Sequence, residues 1–503
     1  MFNLSYLRYT LSSIALVTLS AFSLAVTNLE ESKTNFSPHQ YPPSEFIEVR
    51  NSLQAREFKH LNDKLDIYES EAKNKGVDES IKYYSEFEIY GIQNKKLELL
   101  NAWVESTPNS HHPYLIRSYF YFLQAWDARG NEWASEVESD SFKKMHDSLN
   151  LSIKDIDRAL ELSKESIAIY NLAINIYWIK GNKSKTKEIV NSALKIFPES
   201  FYLRNTYIYS LTPRWGGSYS EMQAFADTAL PYIDQTPLLE ILPGAIEIDM
   251  ANSQSLLGKN KFAFLLYDKA LTYGENAAIY YNRGKLHAKL EQSEEAMADY
   301  NKAITRIPTN SSFFLARFKL HAKLENHYSA YSDLIRALEL SPKNSDINKQ
   351  KTWFTSVLRY EAFNLREDNE HEKALSYNKA ALSLDENSAE NHYSLGFTLY
   401  EMYEHDEAEK AALRAINIEP NEIKYYQLYD AVLVRSDRWE EIIRKWDEYI
   451  YFNPDDDRAY FEQGGSYFHS GNGEKALELF RVAAEMGNKG AARIVQRYNE
   501  NNF

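Results

Sequence analysis

Small residues recur in this chain at a fixed interval, and that interval decides most of what the chain can fold into. Ala296, Ala330, Ala374, Ala408 and Ala476 are separated by 34, 44, 34 and 68 residues, the last being twice 34. A second register, Ala303, Ala337, Ala381, Ala415 and Ala483, keeps the same four steps. Pro308 and Pro342, and then Pro420 and Pro454, again stand 34 apart. An alanine seven residues after another lies on the same helix face, two turns on. Each such pair therefore marks a face slim enough for a second helix to approach. The prolines end each unit, because proline cannot continue a helix and turns the residue before it away from helical angles. A unit of this kind exposes an apolar face that only a neighbour can cover, so several must stack. The 17 Gly and 14 Pro are few beside 37 Tyr and 25 Phe in 503 residues, which favours long helices and short turns over an all-β design.

Residues 277–310, AAIYYNRGKLHAKLEQSEEAMADYNKAITRIPTN, closely resemble the tetratricopeptide repeat (TPR). Tyr280 stands at its large aromatic position, Gly284 at its helix-crossing glycine, and Ala296, Tyr300, Ala303 and Pro308 at the remaining signature positions. Further units run over 311–344, 355–388, 389–422, 423–456 and 457–490. They depart in places: Phe318 and Ala362 replace the glycine, Glu386 replaces a proline, and Ile442 and Tyr449 replace both alanines of one unit. An excess of ten residues at 345–354 breaks the tandem and is expected to lengthen a helix or a loop. The last unit ends in Gly487, Gly490 and Ala491–Ala492, more like a Sel1-type repeat, with a capping helix expected over 491–500. Upstream, 167–200 fits the template more weakly through Tyr170, Gly181, Ala193 and Pro198, and 249–273 is a degenerate unit carrying Ala263, Tyr267 and Ala270 one residue out of register. The resemblance implies an all-α fold: an α-α superhelix, a TPR-type solenoid of helical hairpins, preceded by an irregular helical domain. It implies no chemistry.

The chain divides on this reading into a signal peptide (1–25), a linker (26–48), a helical domain with TPR-like hairpins (49–240), a degenerate repeat (241–276), the array (277–490) and a capping helix with tail (491–503). Arg8 is the only charge before Glu30, 11–26 is apolar, and Ser23-Leu24-Ala25 offers the small residues a signal peptidase reads. The expected destination is the periplasm or the exterior of a bacterium. The competing reading is an uncleaved anchor over 10–29, which would leave the protein membrane-bound and facing the periplasm. The chain has no Cys, so an exported form is held by its core without disulfides.

Ahead of the repeats, Trp126-Asp127-Ala128-Arg129-Gly130 ends an aromatic helix beginning near Pro113, and Pro213-Arg214-Trp215-Gly216-Gly217-Ser218 joins two helical stretches. Ser218 and Glu221 form a capping box for a helix expected to run to about Leu230. Together with Trp103 these segments resemble an uncharacterised bacterial domain that accompanies tetratricopeptide repeats. Two readings of them stand. In one, Gly130 is a helix C-cap and Trp215 a wedge under its loop. In the other, Arg129, Arg214 and Trp215 form an anion- or ligand-binding cluster, since Arg pairs with carboxylates and Trp stacks.

No catalytic residue, metal site or cofactor is read from the sequence. Lack of Cys excludes thiol catalysis and thiolate metal sites, and no HExxH, nucleophile elbow or phosphate-binding loop occurs. His111 and His112 precede Pro113 in an expected loop, where neighbouring side chains should diverge. The net charge of −15 speaks against a nucleic-acid partner gripped by a basic surface. What the repeat resemblance does imply is a concave face lined by the first helix of each unit. On this register that face includes Tyr281, Lys285, Lys289, Lys319 and Lys323, then Tyr393, Phe397 and Tyr400. Four lysines make a basic track in an acidic protein, suited to an extended peptide bearing carboxylates, with the aromatics holding its apolar side chains. The leading reading is a non-enzymatic scaffold of the cell envelope that docks a protein or peptide. Its competitors are a ligand-binding or enzymatic N-terminal domain with the array as targeting arm, and a purely structural assembly subunit.

Overall fold

A computed structural model describes Val49 and residues 51–74, 96–130, 137–308, 310–342 and 344–501. The expected signal peptide and linker lie outside the described residues. Every regular element among the described residues is helical, and no helix there is long and apolar enough to cross a membrane. The chain divides into two compact units, 1–348 and 349–503.

The first unit opens with α1 (Phe58–Asn74), α2 (Lys96–Ser106), α3 (His112–Arg129) and α4 (Ser139–Leu162). Pro113 sits in the first turn of α3, where a missing N–H costs nothing. Gly130 ends α3 at φ +70°, its N–H returning to the carbonyls of Trp126 and Asp127, which is the C-cap the sequence suggested. Met145, Leu149, Ser152, Ile156 and Ala159 form the stripe by which α4 packs. At Ser118 and Ser152 the two helices come close enough for each hydroxyl to donate to the other's carbonyl, at 2.8 and 2.7 Å. Trp103 is fully buried, stacked on Phe58, and donates to Asn62 at 3.0 Å.

Helix α5 (Ile167–Ile179) is buried almost all round, so it lies at the centre of this region. It pairs with α6 (Lys183–Ile196), followed by α7 (Phe201–Ser210). A 3-10 turn at Pro213–Trp215 then leads to α8 (Tyr219–Asp227). Gly217 is indispensable here: a Cβ on it would lie 2.1 Å from the Leu211 carbonyl oxygen. The Ser218 hydroxyl accepts from the Glu221 N–H at 3.2 Å, half of the expected capping box. The other half differs, because the Glu221 carboxylate takes the Ser218 hydroxyl at 2.9 Å instead of a backbone N–H. The helix stops at Asp227, short of Leu230, and a 3-10 turn containing Pro231 follows. One apolar core unites residues from Val49 to Ile246.

The hairpins follow in order. The degenerate unit is α9 (Gly244–Leu256) against α10 (Asn260–Leu271), with Ala263, Tyr267 and Ala270 buried. Next come α11 (Ala277–Lys289) with α12 (Ser293–Arg306), and α13 (Ser311–Lys323) with α14 (His327–Leu340). The ten-residue excess lengthens a helix: α15 (Ser345–Glu367) has 23 residues, and the first unit ends within it. The second unit continues through α16 (His371–Leu384), α17 (Ala389–Glu401), α18 (His405–Ile418), α19 (Ile423–Val434), α20 (Trp439–Phe452), α21 (Asp457–His469), α22 (Gly473–Glu485) and the terminal α23 (Lys489–Asn501).

The periodic alanines do what their spacing implies. Ala296, Ala303, Ala330 and Ala337 in the first unit are fully buried, and so are Ala374, Ala381, Ala408 and Ala415 in the second. The crossing glycines are tighter still. A Cβ on Gly284 would stand 3.0 Å from the Tyr300 ring, and one on Gly464 2.8 Å from the Phe480 ring. Two substitutions separate backbone necessity from habit. Gly217→Ala is expected to destabilise the protein by about 3 kcal/mol, since the loop must rebuild around Leu211. Gly465→Ala, where nothing lies within 4 Å of a new Cβ, should stabilise α21 by about 0.5–1 kcal/mol. Urea unfolding of both variants checks the pair.

Candidate partner-binding site

In the first unit the candidate face is built on α11 and α13. Tyr281 is buried, packed against Phe313 with ring centroids 4.8 Å apart, and the Lys285 ammonium lies 5.4 Å from the centre of its ring. Lys285 is half-buried, while Lys289, Lys319 and Lys323 are exposed. Lys323 reaches Glu291 at 3.2 Å. Among the described residues Lys289 and Lys319 make no ion pair. Burial foremost, and then the Lys319 charge, push Lys285 from its ordinary 10.5 down to about 7. The structure thus brings Lys285 and Lys319 together, while Tyr281, expected on the same face, is taken into the core beneath Lys285.

In the second unit Tyr393, Phe397 and Tyr400 form a half-buried strip along α17, each ring edge-on to the next at 6.1 and 6.3 Å. Three cations attend it that the sequence reading missed. Arg366 lies 4.5 Å over Phe397, Lys424 5.6 Å over Tyr393, and Arg435 5.7 Å over Tyr400. Lys424 also pairs with Glu390, and Arg366 faces Glu401 at 3.5 Å. A register argument finds the aromatics, because they share a helix. The cations come from neighbouring helices.

A charged latch also escaped the sequence reading. Arg283 grips Asp299 with two nitrogens, at 2.9 and 2.8 Å, and Arg317 grips Asp333 in the same way at 2.8 and 2.7 Å. The third nitrogen of each reaches back to the preceding hairpin, to Asp268 at 2.9 Å or Asn301 at 2.6 Å. Arg117 of α3 repeats the pattern with Asp155 at 2.7 Å twice and Asn101 at 2.9 Å. Bidentate charge-assisted bonds of this kind fix both distance and angle. The signal was present: Arg283 and Arg317, like Asp299 and Asp333, stand 34 apart.

In the N-terminal region, Arg214 and Trp215 sit side by side on the 3-10 turn. Arg214 meets the buried Asp249 at 2.7 Å, and Tyr219 donates to the same carboxyl group at 3.1 Å. Burial raises the Asp249 pKa against the opposing pull of Arg214. Trp215 packs edge-on against Trp178 at 5.0 Å. Arg129 closes the end of α3, donating to the Gly130 carbonyl at 3.0 Å.

One expectation is corrected. His111 and His112 do not diverge: their ring centroids are 4.0 Å apart. His111 is already in the helical region (φ −78°, ψ −26°) and His112 opens α3. Carboxylates one turn apart on α1 draw both rings the same way, Glu69 at 3.1 Å from His111 and Asp66 at 2.9 Å from His112.

Stacked helical hairpins define an interaction scaffold of the helical-repeat class. The C-terminal half carries tetratricopeptide repeats, matching that family over 277–310 and 437–491. The N-terminal half carries a domain of unknown function (DUF4034), matched over 45–182 and 180–233. A search of curated proteins gave no match. Similar solved structures include a MamA protein (20% identity, 43% of this chain and 94% of that one, TM-score 0.22). They also include PilW, described as a type IV pilus biogenesis factor (15%, 44% and 98%, TM-score 0.25), and the TPR domain of P58(IPK) (13%, 84% and 98%, TM-score 0.23). At these TM-scores they carry no functional argument. The repeats point to a non-catalytic scaffold with a protein partner.

Two outcomes follow from this geometry. Asp333→Ala strands the buried Arg317 guanidinium and should cost about 3–5 kcal/mol, whereas Arg317→Met with Asp333→Leu should recover most of it, read by urea unfolding. Between about pH 7 and its ordinary 10.5, Lys285 is protonated in the unfolded chain but not in the fold. Stability contributed through this group therefore rises with pH across that window. Lys285→Met should flatten the rise, as measured by denaturation midpoints at pH 7 and pH 9.

Proposed function

We propose that this protein is an exported scaffold of the bacterial envelope whose repeats dock a partner protein, and that the α11–α13 face takes an acidic or carboxylate-bearing segment. The observation that supports it is the half-buried Lys285 beside Lys319, its pKa pushed down first by burial and then by the Lys319 charge. An arriving carboxylate would offset the burial and the Lys319 charge and favour the protonated Lys285, so binding an acidic segment should be coupled to proton uptake near neutral pH. The strip of Tyr393, Phe397 and Tyr400 supports a second contact, for apolar side chains flanked by acidic ones. A nucleic-acid partner is disfavoured by the net charge of −15.

The competing reading, a ligand-binding N-terminal domain, draws on one observation. The indole N–H groups of Trp178 and Trp215 are buried with no acceptor among the described residues.

The scaffold reading is tested by probing an array of acidic, neutral and basic peptides with the full chain. Acidic peptides should bind best, more weakly at pH 8 than at pH 6, and at least tenfold more weakly to a variant with Lys285, Lys289, Lys319 and Lys323 changed to Glu. Equal binding of all three peptide classes, or affinity indifferent to that change, sinks the charge argument. N-terminal sequencing of the protein recovered from the envelope fraction would show processing after Ala25.

A further inference from the structure

We propose that Glu69, His111 and His112 form a binding site for a zinc-like transition-metal dication, with Asp66 as its supporting carboxylate. One donor atom from each of the three residues lies within 4.8 Å of the other two. The His111 Nε2 and Glu69 Oε2 atoms are already 3.1 Å apart. Donors around tetrahedral zinc, at bond lengths of about 2.0–2.2 Å, stand roughly 3.3 Å from one another. The three donors therefore need only modest side-chain movement to close on an ion. Two imidazoles and a carboxylate are the ligand types that zinc shares with copper and nickel, and not those that calcium or magnesium prefer.

The surroundings match what such a site requires. The His112 ring is fully buried and held by Asp66, whose oxygen is 2.9 Å from its Nε2. A carboxylate behind a ligand histidine orients the ring and raises its basicity. The His111 and Glu69 side chains are 13% and 14% exposed, and Asp66 is 65% exposed, so the cluster is sheltered yet open to solvent on the Asp66 side. The fold supplies the geometry from two directions. Asp66 and Glu69 stand one turn apart on α1, and Pro113 fixes the turn that brings both histidines into the start of α3. A bound ion would tie α1 to α3, leaving a fourth position for water.

The test uses the full chain with any histidine tag removed, dialysed against micromolar zinc and then analysed for metal by mass spectrometry. About one zinc per chain is expected. Glu69→Gln and His111→Ala should each weaken binding at least 100-fold. Asp66→Asn, which spares the ligands, should weaken it by about 10–100-fold. Circular dichroism confirms that each variant is folded, and the isosteric Glu69→Gln decides the matter should His111→Ala fail to fold. Cobalt bound in place of zinc should give visible d–d bands that Glu69→Gln removes. Wild-type protein that retains no zinc, or folded Glu69→Gln that binds zinc as tightly as wild type, overturns the site and leaves a purely hydrogen-bonded cluster. Both outcomes are independent of the peptide-docking face.

Discussion

The repeats depend on how closely two helices can approach one another. At Gly284 and Gly464 the facing aromatic ring stands where a Cβ would have to go, and at Ala296, Ala303, Ala408 and Ala415 a single methyl group is all that fits. Contact at that distance turns each helix pair into a wedge with one greasy side, and the next wedge covers it. Large residues can enter only where another element gives way. In the unit of Ile442 and Tyr449 both alanines are lost, and the buried Tyr449 packs instead in an aromatic cluster with Tyr426 and Trp446.

Much of this was legible in the sequence because it is periodic. The alanine and proline registers located the hairpins, and the lengthened α15 appeared where ten residues exceeded the period. The N-terminal helix ending at Gly130 and the turn at Pro213–Gly217 were readable from backbone chemistry, since proline and glycine leave local signatures. The capping box was only half right: a hydroxyl can either accept from a backbone N–H or donate to a carboxylate, and Ser218 does both with Glu221.

What the sequence hid was contact between elements without a common period. The Asp66, Glu69, His111 and His112 cluster joins residues more than forty positions apart, and an adjacent histidine pair looks inert until a facing helix supplies carboxylates. The cations around Tyr393, Phe397 and Tyr400 arrive from α15, from α19 and from the turn after α19 for the same reason. The Arg–Asp latches are the instructive case. Those of Arg283 and Arg317 carry the 34-residue period, yet a charge has no packing consequence that its spacing alone reveals, unlike an alanine or a proline.

Those latches make the first unit difficult to shorten. Arg117, Arg283 and Arg317 each hold a helix on either side, one ahead in the chain and one behind. Excising α9–α10 would leave Arg283 without Asp268 behind it, and excising α11–α12 would leave Arg317 without Asn301. At the equivalent places in the second unit the chain has Leu395 with Ala411 and Tyr429 with Lys445, so no such three-way grip joins successive hairpins at those positions. The second unit ties its hairpins elsewhere: Arg438 grips Glu409 of the preceding hairpin with two nitrogens at 2.6 and 3.1 Å and Glu441 of its own helix, so the two units keep the same stacking with their charged joints in different registers.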